Sequence, residues 1–484
     1  MHKSLRNSKL LLFIKRKSEL FLLKVSQNVV FVFFIGGSGM KLAWRILITM
    51  SLFGASASHA LVSPKDVNTF TLDNGLKVIV LEDDSIPNAN MYTFWKVGSR
   101  NEAPGITGLS HFFEHMMFNG AKKYGPKMFD RTMENHGGRN NAYTTEDLTV
   151  YTNWFPSESL EIIFDLEADR IANLDINQQV LESERGVVTS ERSTGLENSN
   201  WRTLSEEVKG AAFRAHPYSW SVIGHQSDID NWTLDDLKNY HKTYYAPNNA
   251  VMVIVGAVQT AEVKKLAEQY LGPIAAQPAP RAIHTVEPAQ TGERRVYVQK
   301  ESVSSPNIMM AYHVPATSHQ DYYALALLSD ILSSGKSARL NQNLVENQIA
   351  LDTATYLPQS FDANLFYLYA VAAKDIDATK LEHALIAEIN KVIKEGVTEA
   401  ELEKVKNQRL LSLYRTLATI NGKANEMGTY EVFFGDYQKL FTAPQDFAQV
   451  TVADVQRVAA TYLKRANRTV GVLGAKEDSH ENDF

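Results

Sequence analysis

Gly108-Leu109-Ser110-His111-Phe112-Phe113-Glu114-His115-Met116-Met117-Phe118 is the stretch from which the rest of the chain can be read. As a helix, it sets His111 and His115 four residues apart, one turn above the other on a shared face. Two neutral imidazoles at that spacing can hold one Zn²⁺, at roughly 2.0–2.1 Å per bond. Glu114, three residues after His111, shares the face and reaches a water on such an ion. Phe112, Phe113, Met116 and Met117 cover the remaining cylinder, which predicts a helix buried on nearly all sides. Burying two histidines and a carboxylate with no partner is costly, so the pattern asks for one.

Histidines four apart on a helix are more often core or surface residues than ligands. The full order His-x-x-Glu-His, with the carboxylate ahead of the second histidine, is the inverted zincin signature and favours a metal. A site of three protein ligands and one open position needs a third ligand from elsewhere. The 484 residues contain no cysteine. Disulfides and thiolate ligands are therefore excluded, and the missing ligand is His, Asp or Glu. The helix around Glu182-Ser183-Glu184-Arg185-Gly186-Val187-Val188-Thr189-Ser190-Glu191-Arg192 carries several acids. Glu184 and Glu191, seven apart, share a face, while Glu182, Arg185 and Arg192 read as solvated on the others. Acid-rich helices are ordinarily surface helices, so spacing alone leaves the third ligand open.

A chain of this length is too long for one ordinary core and predicts two or more domains. Its 44% hydrophobic and 21% charged content is ordinary globular usage. The first 60 residues differ, with nine Lys/Arg against the single acid Glu19. Met40-Lys41-Leu42-Ala43-Trp44-Arg45 reads as a basic n-region and Ile46 to Phe53 as an apolar h-region. Small residues for cleavage follow at Ala55-Ser56-Ala57 or Ser58-His59-Ala60. Residues 40–60 are thus expected to be a signal peptide, with 1–39 an upstream extension. A membrane anchor is the competing reading, because Val29 to Ile35 is also apolar. Both runs fall short of the ~20 residues that span a bilayer, which favours cleavage near Ala60 and export to a periplasm, with no stable membrane span. Removing 1–60 leaves 40 basic and 54 acidic residues, a net charge of −14. Such a body does not bind nucleic acid nonspecifically and attracts cationic peptides only at long range.

Thr69 to Leu81 alternates around Asn74-Gly75 and predicts a hairpin. Asn90 to Val97 reads as a strand, Lys127 to Asn135 as a helix, and Asn141 to Trp154 as one long strand. Leu160 to Ala172, Gln178 to Arg192 and Leu234 to Tyr245 are helical by period, and Ala250 to Val255 is a strand. Residues 273–294, with Pro273, Pro278, Pro280 and Pro288, form the expected linker. It separates a catalytic domain over 61–272 from a duplicate over 295–476 and a polar tail over 477–484. Asp236-Leu237, Thr243-Tyr244, Asn249 and Val253-Ile254-Val255-Gly256 are echoed by Asp454-Val455, Thr461-Tyr462, Asn467 and Gly471-Val472-Leu473-Gly474. Arg295 to Val298 and Asn307 to Tyr312 are expected to pair as strands before a helix from Tyr322 to Leu332. Setting Gly335 against Gly120 puts Ala326, Ser329 and Asp330 where His111, Glu114 and His115 stand, so the duplicate keeps the helix and loses the ligands. The expected class is α+β: two homologous halves, each a mainly antiparallel sheet with helices, closing around a peptide chamber.

His111-Phe112-Phe113-Glu114-His115, followed 76 positions after His115 by Glu191, resembles the pitrilysin/insulinase family of zinc peptidases in the layout of mitochondrial processing peptidase and its bacterial relatives. The resemblance runs from about Val67 to Gly474. It includes Gly137-Gly138-Arg139-Asn140-Asn141-Ala142-Tyr143-Thr144, His216-Pro217-Tyr218 with Ile223-Gly224, and Tyr245-Ala246-Pro247-Asn248-Asn249. It implies one Zn²⁺ held by His111, His115 and Glu191, with Glu114 activating the water and Glu184 orienting His111 or its neighbours from behind. Asn141, Ala142 and Tyr143 would pair with the backbone of an extended peptide. The implied reaction is peptide hydrolysis by a metal-activated water, with Glu114 as general base.

Family members that act alone carry an arginine and a tyrosine in a second-half segment resembling Leu-Arg-Glu-x-x-Gly-Leu-x-Tyr. Here Leu344-Val345-Glu346-Asn347-Gln348-Ile349-Ala350-Leu351-Asp352 has Val345 and Asp352 at those positions. Neither donates a hydrogen bond to a carbonyl as Arg or Tyr does. The expectation is the zinc-bearing subunit of a heterodimer whose homologous partner supplies the Arg/Tyr pair, unless Arg339 or Tyr356 takes over. A non-catalytic peptide-binding or assembly subunit is the alternative, and it leaves the intact metal set without a reason. A metal-dependent small-molecule lyase fits poorly with two full halves.

Overall fold

Asn74-Gly75 turns the chain back on itself, with Gly75 at a φ of 86° that a side chain would resist. The turn pairs β1 (Val67–Thr71) with β2 (Lys77–Glu82), as the alternation predicts. The structure, a computed structural model, describes residues 63–475 and the short stretches 23–25 and 28–30. β3 (Asn88–Trp95) leads to the histidine-bearing helix α1 (Leu109–Met116) and to α2 (Met128–Asn135). β4 (Arg139–Thr144) and β5 (Thr149–Pro156) then pair antiparallel. The single strand expected over Asn141 to Trp154 is thus two. Thr145 Oγ1 accepts from the amides of Asp147 and Leu148 and closes a turn that the Thr/Tyr-rich pattern conceals. Helices α3 (Leu160–Asn173), α4 (Gln178–Asn198), α5 (Asn200–Ala212), α6 (Gln226–Asn231) and α7 (Leu234–Tyr244) precede β6 (Ala250–Gly256), buried along its whole length. The sheet order is β1–β2–β6–β3–β5–β4, antiparallel except where β2 runs beside β6.

Helix α8 (Thr260–Leu266) closes this half, and residues 275–293 contain neither helix nor strand. The second half holds β7 (Arg294–Gln299), β8 (Asn307–Val314), α9 (Tyr322–Ser333), β9 (Ala350–Tyr356) and β10 (Asn364–Ala372). It continues through α10 (Ala378–Glu395), α11 (Glu399–Leu417), α12 (Ile420–Phe434), α13 (Lys439–Gln449) and α14 (Val452–Tyr462) to β11 (Arg468–Gly474). Its sheet order, β9–β10–β8–β11–β7, repeats the first sheet strand for strand without β1. The expected pairing of β7 with β8 is not made. Both flank β11, β7 parallel and β8 antiparallel, as β2 and β3 flank β6. Period-two alternation says which side chains face the core and nothing about which strand comes next.

Each sheet buries one face under helices of its own half. Phe112, Phe113 and Met116 meet Met91, Tyr151 and Phe155 in the first core, and Leu327, Leu328 and Ile331 meet Met310, Phe366 and Leu368 in the second. Each such side chain is worth ~1.5–3 kcal/mol when fully buried. The opposite faces are covered by exchange. Helix α12 lies on the first sheet, its Gly428 opposite Phe94. Helix α5 places Leu204 and Val208 on the second sheet, against Met309, Ala311 and Leu365. Lys77 Nζ to Glu431 Oε1 at 2.6 Å and Tyr92 OH to Asn421 Oδ1 at 2.9 Å tie the halves further. The α+β architecture of two homologous halves is therefore as expected.

The segment 40–60 expected to be a signal peptide, most of the expected extension over 1–39 and the tail over 477–484 lie outside the described residues. Leu23–Val25 and Asn28–Val30 form an antiparallel pair in a separate unit, Met1–Ser63. Among the described residues no helix is long and apolar enough to cross a membrane.

Candidate metal centre

Helix α1 starts at Gly108, whose φ of 89° and 2.4 Å approach of a would-be Cβ to the Ile223 carbonyl oxygen leave room for glycine alone. Glycine has no side chain to cap the helix, and Glu102 caps it from six residues upstream. Its carboxylate accepts from Gly108 N at 2.7 Å and Ser110 N at 2.8 Å. Burial pushes Glu102 up to about 8, against the pull of those two amides. Tyr151 OH donates to Phe113 O at 2.9 Å from the sheet below. The helix is fixed with Phe112, Phe113 and Met116 inward, and His111, Glu114 and His115 on its half-buried side.

Helix α4 runs past that side. Glu191 Oε2 stands 3.6 Å from His111 Nε2 and 3.5 Å from His115 Nε2, longer than ordinary hydrogen bonds. The donor atoms of the three residues all lie within 4.8 Å of one another. Two imidazole nitrogens and one carboxylate oxygen facing each other without satisfying each other are a donor set that suits Zn²⁺ with an open position. Burial drives His111 down to about 4, into the neutral form that ligates. Burial acts the same way on His115, but Glu184 and Glu191 outweigh it and raise His115 to about 9. The two carboxylates thus make His115 the more basic of the two imidazoles.

Glu184 Oε1 takes the hydrogen bond of His115 Nδ1 at 2.8 Å, and its Oε2 accepts from Asn119 Nδ2 at 2.7 Å. The acid thus stands behind His115, while the buried Nδ1 of His111 has no hydrogen-bond partner among the described residues. Glu114 Oε2 accepts from Thr144 Oγ1 at 2.6 Å. Burial raises the Glu114 carboxyl, partly countered by that hydroxyl. Thr144 is the last residue of β4, the free edge of the first sheet. Asn141, Ala142 and Tyr143 lie on this edge, so the strand leads straight to Glu114. Asn141 and Tyr143 are exposed, and Tyr143 OH reaches Asn425 Oδ1 of α12 at 3.5 Å.

Arg185 and Arg192 are not solvated. Arg185 donates to the carbonyls of Ile229 and Trp232, and Arg192 makes a paired bridge to Glu206, so both brace α4 against its neighbours. Glu182 is exposed and accepts from Gln178. Asn119, Thr144 and Glu102 escaped the sequence reading. Asn119 sits in the turn just past the end of α1, four residues after His115. In the second half Ser329 Oγ meets Thr355 Oγ1 of β9 at 2.8 Å, as Glu114 meets Thr144 of β4. Asp330, at the counterpart of His115, pairs with Arg409, whose guanidinium supplies a fixed positive charge there. Val345 is half-buried and Asp352 exposed. Arg339 is committed to Glu401 at 2.6 and 2.8 Å and to Gly396 O.

Residues 77–226 match the family described as Insulinase (Peptidase family M16), and residues 231–409 match the Peptidase M16 inactive domain. The zinc protease PqqE of Helicobacter pylori is 32% identical over 440 residues, 88% of this chain and 96% of that protein. The chain belongs to the M16 peptidase family. The probable beta subunit of mitochondrial-processing peptidase from Arabidopsis thaliana is a more distant M16 relative, 26% identical over 437 residues, covering 88% of this chain and 81% of its own. The crystal structure of a protease from Helicobacter pylori has the same M16 fold, with a TM-score of 0.81 at 31% identity over 84% of this chain and 99% of that one. The inactive-domain match contains α9, the helix that carries Ala326 and Asp330 at the positions set against His111 and His115.

Proposed function

We propose that the chain is the catalytic subunit of an exported zinc metalloendopeptidase that hydrolyses peptides or short unfolded chains. The observation that carries this reading is the convergence of His111, His115 and Glu191 beside a hydroxyl-anchored Glu114. These three residues would hold one Zn²⁺, with Glu184 fixing the tautomer of His115. When bound, the ion supplies Lewis acidity, lowering the pKa of water and polarising the scissile carbonyl. Glu114 takes the proton of the attacking water and returns it to the departing amine. Thr144 occupies one of its oxygens and leaves the other for that transfer, and the raised carboxyl pKa brings the base nearer to neutral. β4 presents Asn141, Ala142 and Tyr143 to the main chain of an extended peptide, so cleavage tolerates varied side chains. The catalytic domain spans 61–272, the linker 273–294 and the second domain 295–476.

A homologous partner supplying an Arg/Tyr pair belongs to this proposal. Val345 and Asp352 stand at the matching positions, and Arg339 is already engaged. Export to a periplasm rests on the basic and apolar segments of residues 40–60. The test is peptide cleavage by the purified chain, with and without the product of any adjacent homologous gene, alongside metal analysis. One zinc per chain and activity abolished by Glu114→Gln with zinc retained are expected. A zinc-loaded Glu114→Gln variant as fast as the parent overturns the mechanism, and full activity of the chain alone overturns the partner.

A further inference from the structure

The second half keeps a cavity of about 510 Å³ beside α9, between α11 and α12. Its charges are almost all spent. Arg409 is held by Asp330 and by Ala326 O, with its guanidinium over the Phe447 ring. Lys406 is held by Glu403 and the Ala448 carbonyl. Glu426, projecting from α12, has no hydrogen bond or ion pair among the described residues, and burial raises its carboxyl. The acids Asp330, Glu403 and Glu426 against Lys406 and Arg409 leave one negative charge unanswered, on Glu426. A half-buried carboxylate without a partner costs folding energy, and Tyr322 and Tyr430 line the same cavity. Asn425, the residue before Glu426, accepts from the Tyr143 hydroxyl at 3.5 Å, and burial first, then Tyr92 and Glu426, raise that hydroxyl, on the edge strand that ends at the Glu114 anchor.

We infer that this cavity is a subsite for one basic side chain, Lys or Arg, of a peptide whose main chain lies along β4, with Glu426 as the residue that reads its charge. The inference rests on the peptidase reading above, and it gives the half without metal ligands a task, selection of the side chain while the other half cuts. The alternative is a solvated surface carboxylate, which would titrate near its ordinary value and leave peptide binding alone.

The experiment measures peptide binding by calorimetry to the zinc-loaded Glu114→Gln protein, with its partner subunit if one is found. The probes are a scan of paired peptides carrying either lysine or the uncharged, near-isosteric norleucine at each successive position. At one position lysine is expected to bind at least about tenfold tighter than norleucine. Adding Glu426→Gln should erase that preference and leave the norleucine peptide unchanged, while Glu426→Lys should transfer the preference to a glutamate peptide. The Tm of Glu426→Gln should equal or exceed that of the parent, because an uncompensated charge is removed. Equal weakening of both peptides by Glu426→Gln, or no lysine preference at any position, overturns the subsite and leaves the peptidase reading standing. A parent that binds no peptide of the scan overturns both.

Discussion

Glu184 gives His115 a fixed tautomer and a negative neighbour, whereas the buried His111 Nδ1 has no hydrogen-bond partner among the described residues. The two imidazoles are therefore unequal ligands, and His115 depends on an acid 69 residues away. Glu184→Gln should retain one acceptor and lower zinc affinity about 10-fold, and Glu184→Ala about 100-fold, read by competition with a chromophoric chelator. Unchanged affinity in both variants would mean that the imidazole is oriented by its ring packing alone. Thr144 acts on the base instead of the ligands. Its hydroxyl donates to the charged form of Glu114 and so holds that pKa below where burial alone would put it. Thr144→Val removes the donor, and the Glu114 pKa rises further. Because the base works only when deprotonated, the acid limb of the kcat/KM profile should move to higher pH while zinc content stays the same. A limb that stays in place would show that another group sets it.

Arg339 and Glu401 show what an element can do with the same chemistry when no substrate is involved. Glu401 closes the capping box of α11 with Thr398 and bridges to Arg339, whose side-chain bonds, first among the causes, lower Glu401 to about 2 from 4.5. The folded pKa lies below the unfolded one, so the contribution is fully present above about 4.5 and is lost as pH falls toward about 2. With Glu401 a quarter exposed, Glu401→Gln should cost ~1–2 kcal/mol in urea unfolding at pH 7, and the gap from the parent should narrow at pH 3. The elements themselves were largely legible, since the Asn74-Gly75 turn, the 3.6-residue periods and the duplicated C-terminal motifs each announce local structure. Helix α5 was not. It buries only Leu204, Val208 and Ala212, and does so against the other half, so its stripe is too thin to stand out. The strand neighbours were hidden for a related reason, because β6 and β11 arrive late in each half and insert between strands already adjacent in sequence. At the site, His111, Glu114 and His115 were readable from one helical turn, and Glu191 only through the family resemblance. Thr144 and Glu102 reach α1 from a strand end and a loop, a meeting that no spacing rule encodes.

The exchange of α5 and α12 between halves makes the fold a property of the whole chain, because the helix that braces one sheet belongs to the sequence of the other. Ion pairs of Arg100 with Asp362 and of Lys423 with Asp83 cross the same boundary. The tightest point is Gly428 of α12. A Cβ there would lie 1.9 Å from the ring of Phe94, itself wholly buried. Gly428→Ala must therefore lift α12 from the first sheet, an overpacking cost of ~1–3 kcal/mol. Helix α12 carries Asn425 and Glu426 toward Tyr143, so peptide binding should weaken with it. His111, His115 and Glu191 hang on α1 and α4, inside the first half's own core, so zinc content should hold at one per chain. Gly292→Ala, where a Cβ meets nothing within 4 Å, is the control and should leave stability, zinc and KM alone. A lower Tm and a higher KM at constant zinc in Gly428→Ala would establish that the two halves meet the substrate together. Loss of zinc in step with stability would instead mean that α12 holds the metal helix in place, and that the two halves fail as one body.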